Sequence, residues 1–114
     1  MQTAADLNYA ADLDASMYTH VALLTSEELG GANVADGGAA RTVSYGDAGD
    51  EGPTSDHAAI DGIAWSGVVN FTLTEPATHV GLIRGGVVHL TDPLPTAVGP
   101  GDVPFVHGIG PSAA

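Results

Sequence analysis

The sequence contains no cysteine and no lysine, and its only basic side chains are those of Arg41 and Arg84. Without cysteine the chain forms neither a disulfide nor a zinc site with thiolate ligands. Two arginines cannot neutralise a row of phosphates, which excludes nucleic acid as a partner. No run of about eighteen apolar residues occurs, so we expect no segment that spans a membrane. The N-terminal residues lack the basic region of a signal peptide, and we expect a protein made in the cytoplasm.

What the sequence has in excess is negative charge. Fourteen Asp and Glu residues against two Arg give a formal net charge of −12 over 114 residues. Disorder is excluded as the explanation, because disordered acidic chains are poor in aliphatic residues and 44% of this chain is hydrophobic. Concentrated salt relieves the self-repulsion, since the Debye length is only about 3 Å at 1 M. The acid-rich, lysine-free composition resembles that of proteins from extremely halophilic archaea and their viruses; the alternative is an ordinary acidic protein.

The hydrophobic pattern predicts a short helix followed by strands. Leu7 and Ala11 lie one turn apart within residues 3–13, and Thr3 is a suitable N-cap. A helix of this length is marginal in isolation, so we expect it to pack against other parts of the chain. From Thr19 onward, glycines and prolines divide the chain into short segments with strand character, at 19–25, 40–45, 57–64, 67–73, 78–84, 86–91 and 102–107.

These segments predict an all-β fold, a small antiparallel β-sandwich of about seven strands with a short N-terminal helix or arm. We expect one domain, with an arm at 1–18, the sandwich at 19–108 and a tail at 109–114. Gly85 and Gly86 predict a tight hairpin, because they tolerate the positive φ of its turn. Four prolines confine the last third of the chain to edges and loops: Pro93, Pro95, Pro100 and Pro104. The predicted core consists of Leu23, Trp65, Phe71, Val80, Leu82, Val88, Leu90 and Phe105.

One short sequence recurs within the chain. Residues 19–24 (THVALL) and residues 78–83 (THVGLI) are identical at four of six positions. Two such strands could occupy equivalent places in two halves of a sandwich, although a common β pattern that arose twice is the favoured explanation.

The densest acidic segment is the predicted loop 46–56. It holds four carboxylates, which are the ligands that hard cations take from loops: Asp47, Asp50, Glu51 and Asp56. Their spacing does not match an EF-hand loop, so we expect a solvated loop with at most loosely bound cations and no other cofactor. As an alternative, Asp47, Asp50 and His57 form the binding loop of a cation- or glycan-binding surface module.

Other chemistry has little support in the sequence. No nucleophile elbow, zinc-protease motif, P-loop or dinucleotide fingerprint occurs, Ser66 lacks the surroundings of a nucleophile, and we expect no enzyme. His79 and His89 lie on adjacent predicted strands and are candidate metal ligands, although half-buried structural histidines are the expected outcome. Asn70 begins a glycosylation sequon inside a predicted strand.

The chain after Tyr18 resembles small structural proteins of tailed viruses, of the head-decoration and tail-fibre-like kind. The resemblance rests on an ordered set of segments, VALLT at 21–25, GGAARTV at 37–43, VNF at 69–71, ATHVGLI at 77–83, VVHL at 87–90 and finally Leu94, Val98, Gly101, Asp102 and Phe105. It implies an all-β virion component without catalytic residues. The large number of acidic residues and the proline-rich C-terminal segment depart from the usual pattern of this family.

On this resemblance we expect a virion structural protein assembled in the host cytoplasm. The favoured interpretation is a capsid decoration or cement protein on the head exterior, bound to the major capsid protein through the termini 1–18 and 100–114. A tail, baseplate or fibre component is the alternative. By analogy with virion spikes, the chain is expected to form a homo-oligomer, such as a trimer.

Overall fold

A computed structural model describes residues 3–28, 33–35 and 40–110. The described residues form one helix and eight strands, and all strand pairs are antiparallel. The all-β fold is confirmed, and it is consistent with a small sandwich. The elements are α1 (Ala4–Ala15), β1 (His20–Leu24), β2 (Arg41–Thr42), β3 (Ala64–Trp65), β4 (Val69–Leu73), β5 (Ala77–Arg84), β6 (Val87–Val98), β7 (Gly101–Phe105) and β8 (Gly108–Ile109).

The elements belong to two compact units. The first unit contains α1 and the two-stranded ribbon β3–β8, with the intervening chain from residue 44 to residue 68. The second unit contains a four-stranded sheet in the order β2-β1-β5-β6 and the ribbon β4–β7. The segment 26–39, between the first two predicted strands, and the tail 109–114 lie largely outside the described residues.

The core of the second unit lies around β1 and β5. Val21 and Leu23 point to one side of β1, while Ala22 and Leu24 point to the other, and all four are buried. Burial on both faces explains the uninterrupted apolar run, which is typical of a central strand. The ribbon β4–β7 alternates between buried and exposed positions, with Phe71 on its buried side. The Arg41 guanidinium lies over the Phe71 ring, 5.6 Å from its centroid.

The repeated hexapeptide does not occupy two halves of a sandwich. Its two copies are β1 and β5, which pair directly with each other. Ala22 lies opposite Gly81, so the ladder is nearly symmetric about that pair. A Cβ at Gly81 would lie 2.9 Å from Leu24 Cδ1, so a side chain there would require the buried Leu24 side chain to shift.

The hairpin between β5 and β6 is confirmed. Gly85 and Gly86 have φ values of 59° and 76°, which residues with a side chain rarely adopt. β6 continues to Val98, well beyond the predicted end at residue 91. It is an edge strand of the sheet formed by the described residues, with register shifts along its pairing with β5. Pro93 and Pro95 lie on it, as the edge prediction requires.

The predicted strand 57–64 is wrong. Gly62 has a φ of 85° and the Ile63 amide donates to the Ile60 carbonyl, so the chain turns where a strand would run straight. The Gly62 amide donates to Asn8 Oδ1 at 2.6 Å instead of entering a ladder. The predicted strand 40–45 shortens to Arg41–Thr42, because from Ser44 onward the backbone pairs with residues 65–67 instead of with β1.

The core prediction is confirmed for four of its eight residues. Phe71, Leu23, Val80 and Leu82 are all at most 1% exposed. Leu90 is the clear error, since 42% of its surface is exposed on the edge strand. Trp65, Val88 and Phe105 are half-buried.

Candidate functional site

Helix α1 is held in place by its cap and by one face. Thr3 and Asp6 form a capping box in which each side chain accepts from the other residue's backbone amide. Ala11 and Ala15 are buried, and Asn8 joins the helix to the turn at Gly62 and to the Asp61 carboxylate. The helix is therefore an integral part of the first unit, as expected from its short length.

The opposite side of the helix carries large apolar side chains. Tyr9 and Leu13 lie one turn apart and are 72% and 50% exposed, and Met17, just beyond the helix, is 41% exposed. We call Tyr9, Leu13 and Met17 the α1 outer face. Asp6 and Asp14 are exposed on the same helix, and this acid-flanked apolar stripe is the strongest candidate for a protein-contact surface in the first unit. Sequence reasoning placed a contact in segment 1–18 but did not identify the face.

The acidic loop is solvated, and its backbone is well anchored. The four carboxylates of Asp47, Asp50, Glu51 and Asp56 are exposed. Between them, the Ala48 amide donates to Asp12 Oδ1 at 2.6 Å and the Gly52 amide donates to the His57 carbonyl at 2.6 Å. Within the described ranges, no three His, Cys, Asp or Glu side chains lie where they could hold one metal ion.

His57 is occupied by neighbours within the loop. Its ring packs edge-on against Trp65 with 4.8 Å between centroids, and its Nδ1 lies 2.7 Å from Thr54 Oγ1. The Trp65 Nε1 donates to the Ala58 carbonyl at 3.1 Å. These contacts explain how an acid-rich segment holds a defined path: it closes over the only tryptophan of the chain.

The two candidate metal-binding histidines are not brought together. His79 lies opposite Pro93, whereas His89 lies at the register shift beside Ile83 and Val88, several ladder positions away. His79 instead interacts with its neighbour Thr78, whose Oγ1 lies 2.8 Å from His79 Nδ1. The Thr78 hydroxyl also donates to the Thr25 carbonyl at 3.0 Å.

The same arrangement occurs at the other copy of the repeat. Thr19 Oγ1 lies 2.8 Å from His20 Nδ1 and contacts the Ile83 carbonyl at 3.4 Å. A Thr-His pair therefore begins both central strands. The sequence shows that Thr-His occurs twice. Only the ladder between β1 and β5 shows that the two strands that carry it are paired.

Ser66 has a structural position. It is 1% exposed, accepts a hydrogen bond from the His107 amide at 2.9 Å and donates to the Gly67 carbonyl at 2.9 Å. Tyr45 Oη lies 3.2 Å from His107 Nδ1. The Ser66 hydroxyl thus joins the β3 and β8 segments, and both of its hydrogen bonds are to the backbone.

The sequon is on the exposed side of its strand. Asn70 and Thr72 are exposed, Phe71 between them is buried, and Thr72 Oγ1 donates to Asp102 Oδ1 at 2.9 Å across the ribbon.

No known family, curated protein or solved structure matches this chain. The resemblance to virion structural proteins therefore stays a prediction. In the part of the chain that the structure describes, no helix has the length and apolar character needed to cross a bilayer.

Proposed function

We propose that this protein is a virion structural component, and most specifically a decoration protein on the capsid exterior of a tailed virus, bound to the major capsid protein. The α1 outer face is the observation that carries the proposal. The ordered resemblance described above and the small all-β fold support it.

The exposed α1 outer face would gain free energy from contact with a partner. Burying the apolar surface of Tyr9, Leu13 and Met17 against a partner would stabilise the complex by roughly 25 cal/mol for each Å² removed from water. Tyr and Met are enriched at protein interfaces because they cover large areas and adapt to a partner surface. A helix already fixed by its inner face needs no further ordering of its backbone, so binding costs only the conformational entropy of the side chains themselves.

The exposed acids fit an exterior location in concentrated salt. Carboxylates such as those of Asp47, Asp50 and Glu51 remain hydrated at a surface, where mutual repulsion is screened. A decoration protein needs no chemistry beyond binding, and many copies with modest individual affinities stabilise a shell through repeated contacts.

The test is incorporation into particles. We expect Tyr9→Ser combined with Leu13→Ser to lower the amount of protein that co-sediments with capsids by at least about tenfold, as for loss of central interface residues. Ile60→Ser combined with Val68→Ser is the matched control, because these residues belong to the same unit and are 45% and 44% exposed. Point variants are sharper than deletion of 1–18, which would remove Ala11 and Ala15 from the core of that unit.

Copy number decides between locations in the particle. A copy number comparable with that of the major capsid protein supports decoration of the head, whereas a handful per particle supports a tail or baseplate component. Absence of the wild-type chain from purified particles would refute the proposal as a whole.

A further inference from the structure

The turn at Gly62 contains a pair of residues that can react with each other. The sequence has two Asp-Gly pairs, at 36–37 and at 61–62, and the first lies outside the described residues. In such a pair the backbone nitrogen of the glycine can attack the side-chain carboxyl of the aspartate. Glycine favours this attack, because it has no Cβ to obstruct the nitrogen and its backbone rotates freely. Asp61 is exposed, so solvent has access to its carboxyl group.

The reaction at this pair needs no reagent other than water. The Gly62 nitrogen forms a bond to Cγ of the protonated Asp61 carboxyl, and the carboxyl hydroxyl leaves with the amide proton as water, which closes a succinimide ring. Water then adds to either ring carbonyl. Addition at Cγ restores aspartate, whereas addition at the backbone carbonyl leaves the chain running through Cγ, as isoaspartate. The water lost in the first step is regained in the second, so the mass of the chain is unchanged.

One side chain of helix α1 holds both of the reacting groups. Asn8 Oδ1 accepts a hydrogen bond from the Gly62 amide at 2.6 Å, and Asn8 Nδ2 donates to Asp61 Oδ1 at 3.3 Å. The first hydrogen bond engages the proton that the nitrogen has to lose. The second directs the carboxylate toward Asn8. Ring closure therefore requires the Gly62 amide to leave Asn8 and the Asp61 carboxyl to turn away from it.

Both Asn8 and Gly62 are confined by the backbone around them. A Cβ on Gly49 would lie 2.8 Å from Asn8 Nδ2, so this part of the acidic loop packs closely against the amide group. Gly62 is buried, and a Cβ on Gly110 would overlap the Gly62 carbonyl oxygen. The turn consequently has little freedom to rotate while Asn8 remains bound to it.

We propose that the Asp61-Gly62 bond is a site of isoaspartate formation, and that Asn8 suppresses the reaction while α1 is docked on the turn. Asn8 is a positioning residue, and the bond becomes reactive when α1 leaves the turn. Isomerisation then adds a methylene group to the main chain between residues 61 and 62, so that the Gly62 amide no longer lies at Asn8. All of these residues belong to the first unit, and the inference is independent of the capsid proposal.

Mass spectrometry that locates isoaspartate along the chain tests the proposal. The full chain is incubated in a mildly acidic buffer, in which more carboxyl groups carry the proton that the reaction requires. The folded wild type is expected to form isoaspartate at Asp61 at least about fivefold more slowly than the same chain in urea, a factor that corresponds to one hydrogen bond of about 1 kcal/mol. Asn8→Ala is expected to remove this protection while the rate at Asp36 stays unchanged.

Asp12→Ala is the matched control. Asp12 Oδ1 accepts from the Ala48 amide at 2.6 Å, so this variant removes an equally short hydrogen bond between α1 and another segment of the same unit. Because Asn8 is retained, its rate at Asp61 is expected to equal that of the wild type. The control separates loss of the Asn8 hydrogen bonds from general loosening of the helix.

Circular dichroism verifies that each variant is folded. Where Asn8→Ala is unfolded, Asn8→Asp takes its place, because it keeps an acceptor oxygen for the Gly62 amide and exchanges the donor to Asp61 for a second carboxylate; it is expected to react faster than the wild type. Equal rates in the folded and the urea-treated wild type, a folded Asn8 variant that reacts no faster than the wild type, or an Asp12→Ala variant as fast as Asn8→Ala would each overturn the proposal.

Discussion

Ser66 shows how one hydroxyl connects two distant segments. Its oxygen lies between the amide of His107 and the carbonyl of Gly67, in a position from which water is excluded. The sequence gives Ser66 none of the surroundings of a nucleophile, and in the structure its hydroxyl forms hydrogen bonds with backbone groups where β3 and β8 meet.

Replacing Ser66 by alanine is expected to lower the free energy of unfolding by about 1–3 kcal/mol, because the part-buried His107 amide loses the Ser66 oxygen as its acceptor. Urea denaturation measures the change. Ser55→Ala, at an exposed position in the same unit, is the control and is expected to be nearly neutral. Equal stability of Ser66→Ala and the wild type would show that the hydrogen bond contributes nothing net.

At the scale of elements, the ribbon β3–β8 depends on the close approach of Trp65 and Gly108. These residues face each other in the ladder, and a Cβ on Gly108 would lie 2.7 Å from Trp65 Cζ3 and 2.9 Å from Cε3. The indole cannot swing away freely, because its Nε1 donates to Ala58 and His57 lies against its face. The glycine is therefore required for the acidic loop to close over the tryptophan.

Gly108→Ala is expected to cost about 1–3 kcal/mol of unfolding free energy, the usual range for overpacking. It should also shift the emission of Trp65, the only tryptophan, as the ring moves. Gly67→Ala is the matched control, since a Cβ there meets no atom within 4 Å. An unchanged emission spectrum with unchanged stability would argue against the described contact.

At the scale of the whole molecule, negative charge dominates. The described carboxylates lie mainly in turns and at strand ends, while the central strands β1 and β5 contain none. Repulsion between these charges lowers the free energy of unfolding, and it is a long-range sum over the whole surface. Salt screens the repulsion and is expected to restore the lost stability.

The free energy of unfolding should therefore rise between about 0.1 M and about 1 M KCl, as the Debye length falls from about 10 Å to about 3 Å. Converting Asp47, Asp50, Glu51 and Asp56 to their amides lowers the net charge from −12 to −8. Because self-repulsion scales roughly with the square of the charge, this variant is expected to lose roughly half of the gain. Sucrose, which stabilises without screening, should affect both proteins equally. A wild type equally stable at both salt concentrations would contradict the salt-adapted interpretation.

The sequence predicted those parts of the fold whose signals are local. The apolar runs of β1 and β5, the Gly85-Gly86 turn and the Thr3 cap each depend on neighbouring residues, and the structure confirms them. The turn at Gly62 was missed because its partner, Asn8, lies 54 residues away in the chain.

The candidate surfaces were harder to predict for the same reason. A helical pattern at 3–13 did not reveal that Ala11 would be buried and Tyr9 exposed, because the face is chosen by the segments that pack on it. The partner of His79 was equally hidden, since only the ladder with β1 brings Thr78 to the Thr25 carbonyl.

The near-symmetric ladder of β1 and β5 has a consequence for how the sheet is assembled. Each strand carries almost the sequence of its partner, so the segment is self-complementary, and a strand of this kind would pair with its own twin on another molecule. Holding both copies in one chain gives each strand a tethered partner at high effective concentration. The repeat thus directs the most apolar segment of the protein toward intramolecular pairing, and away from aggregation.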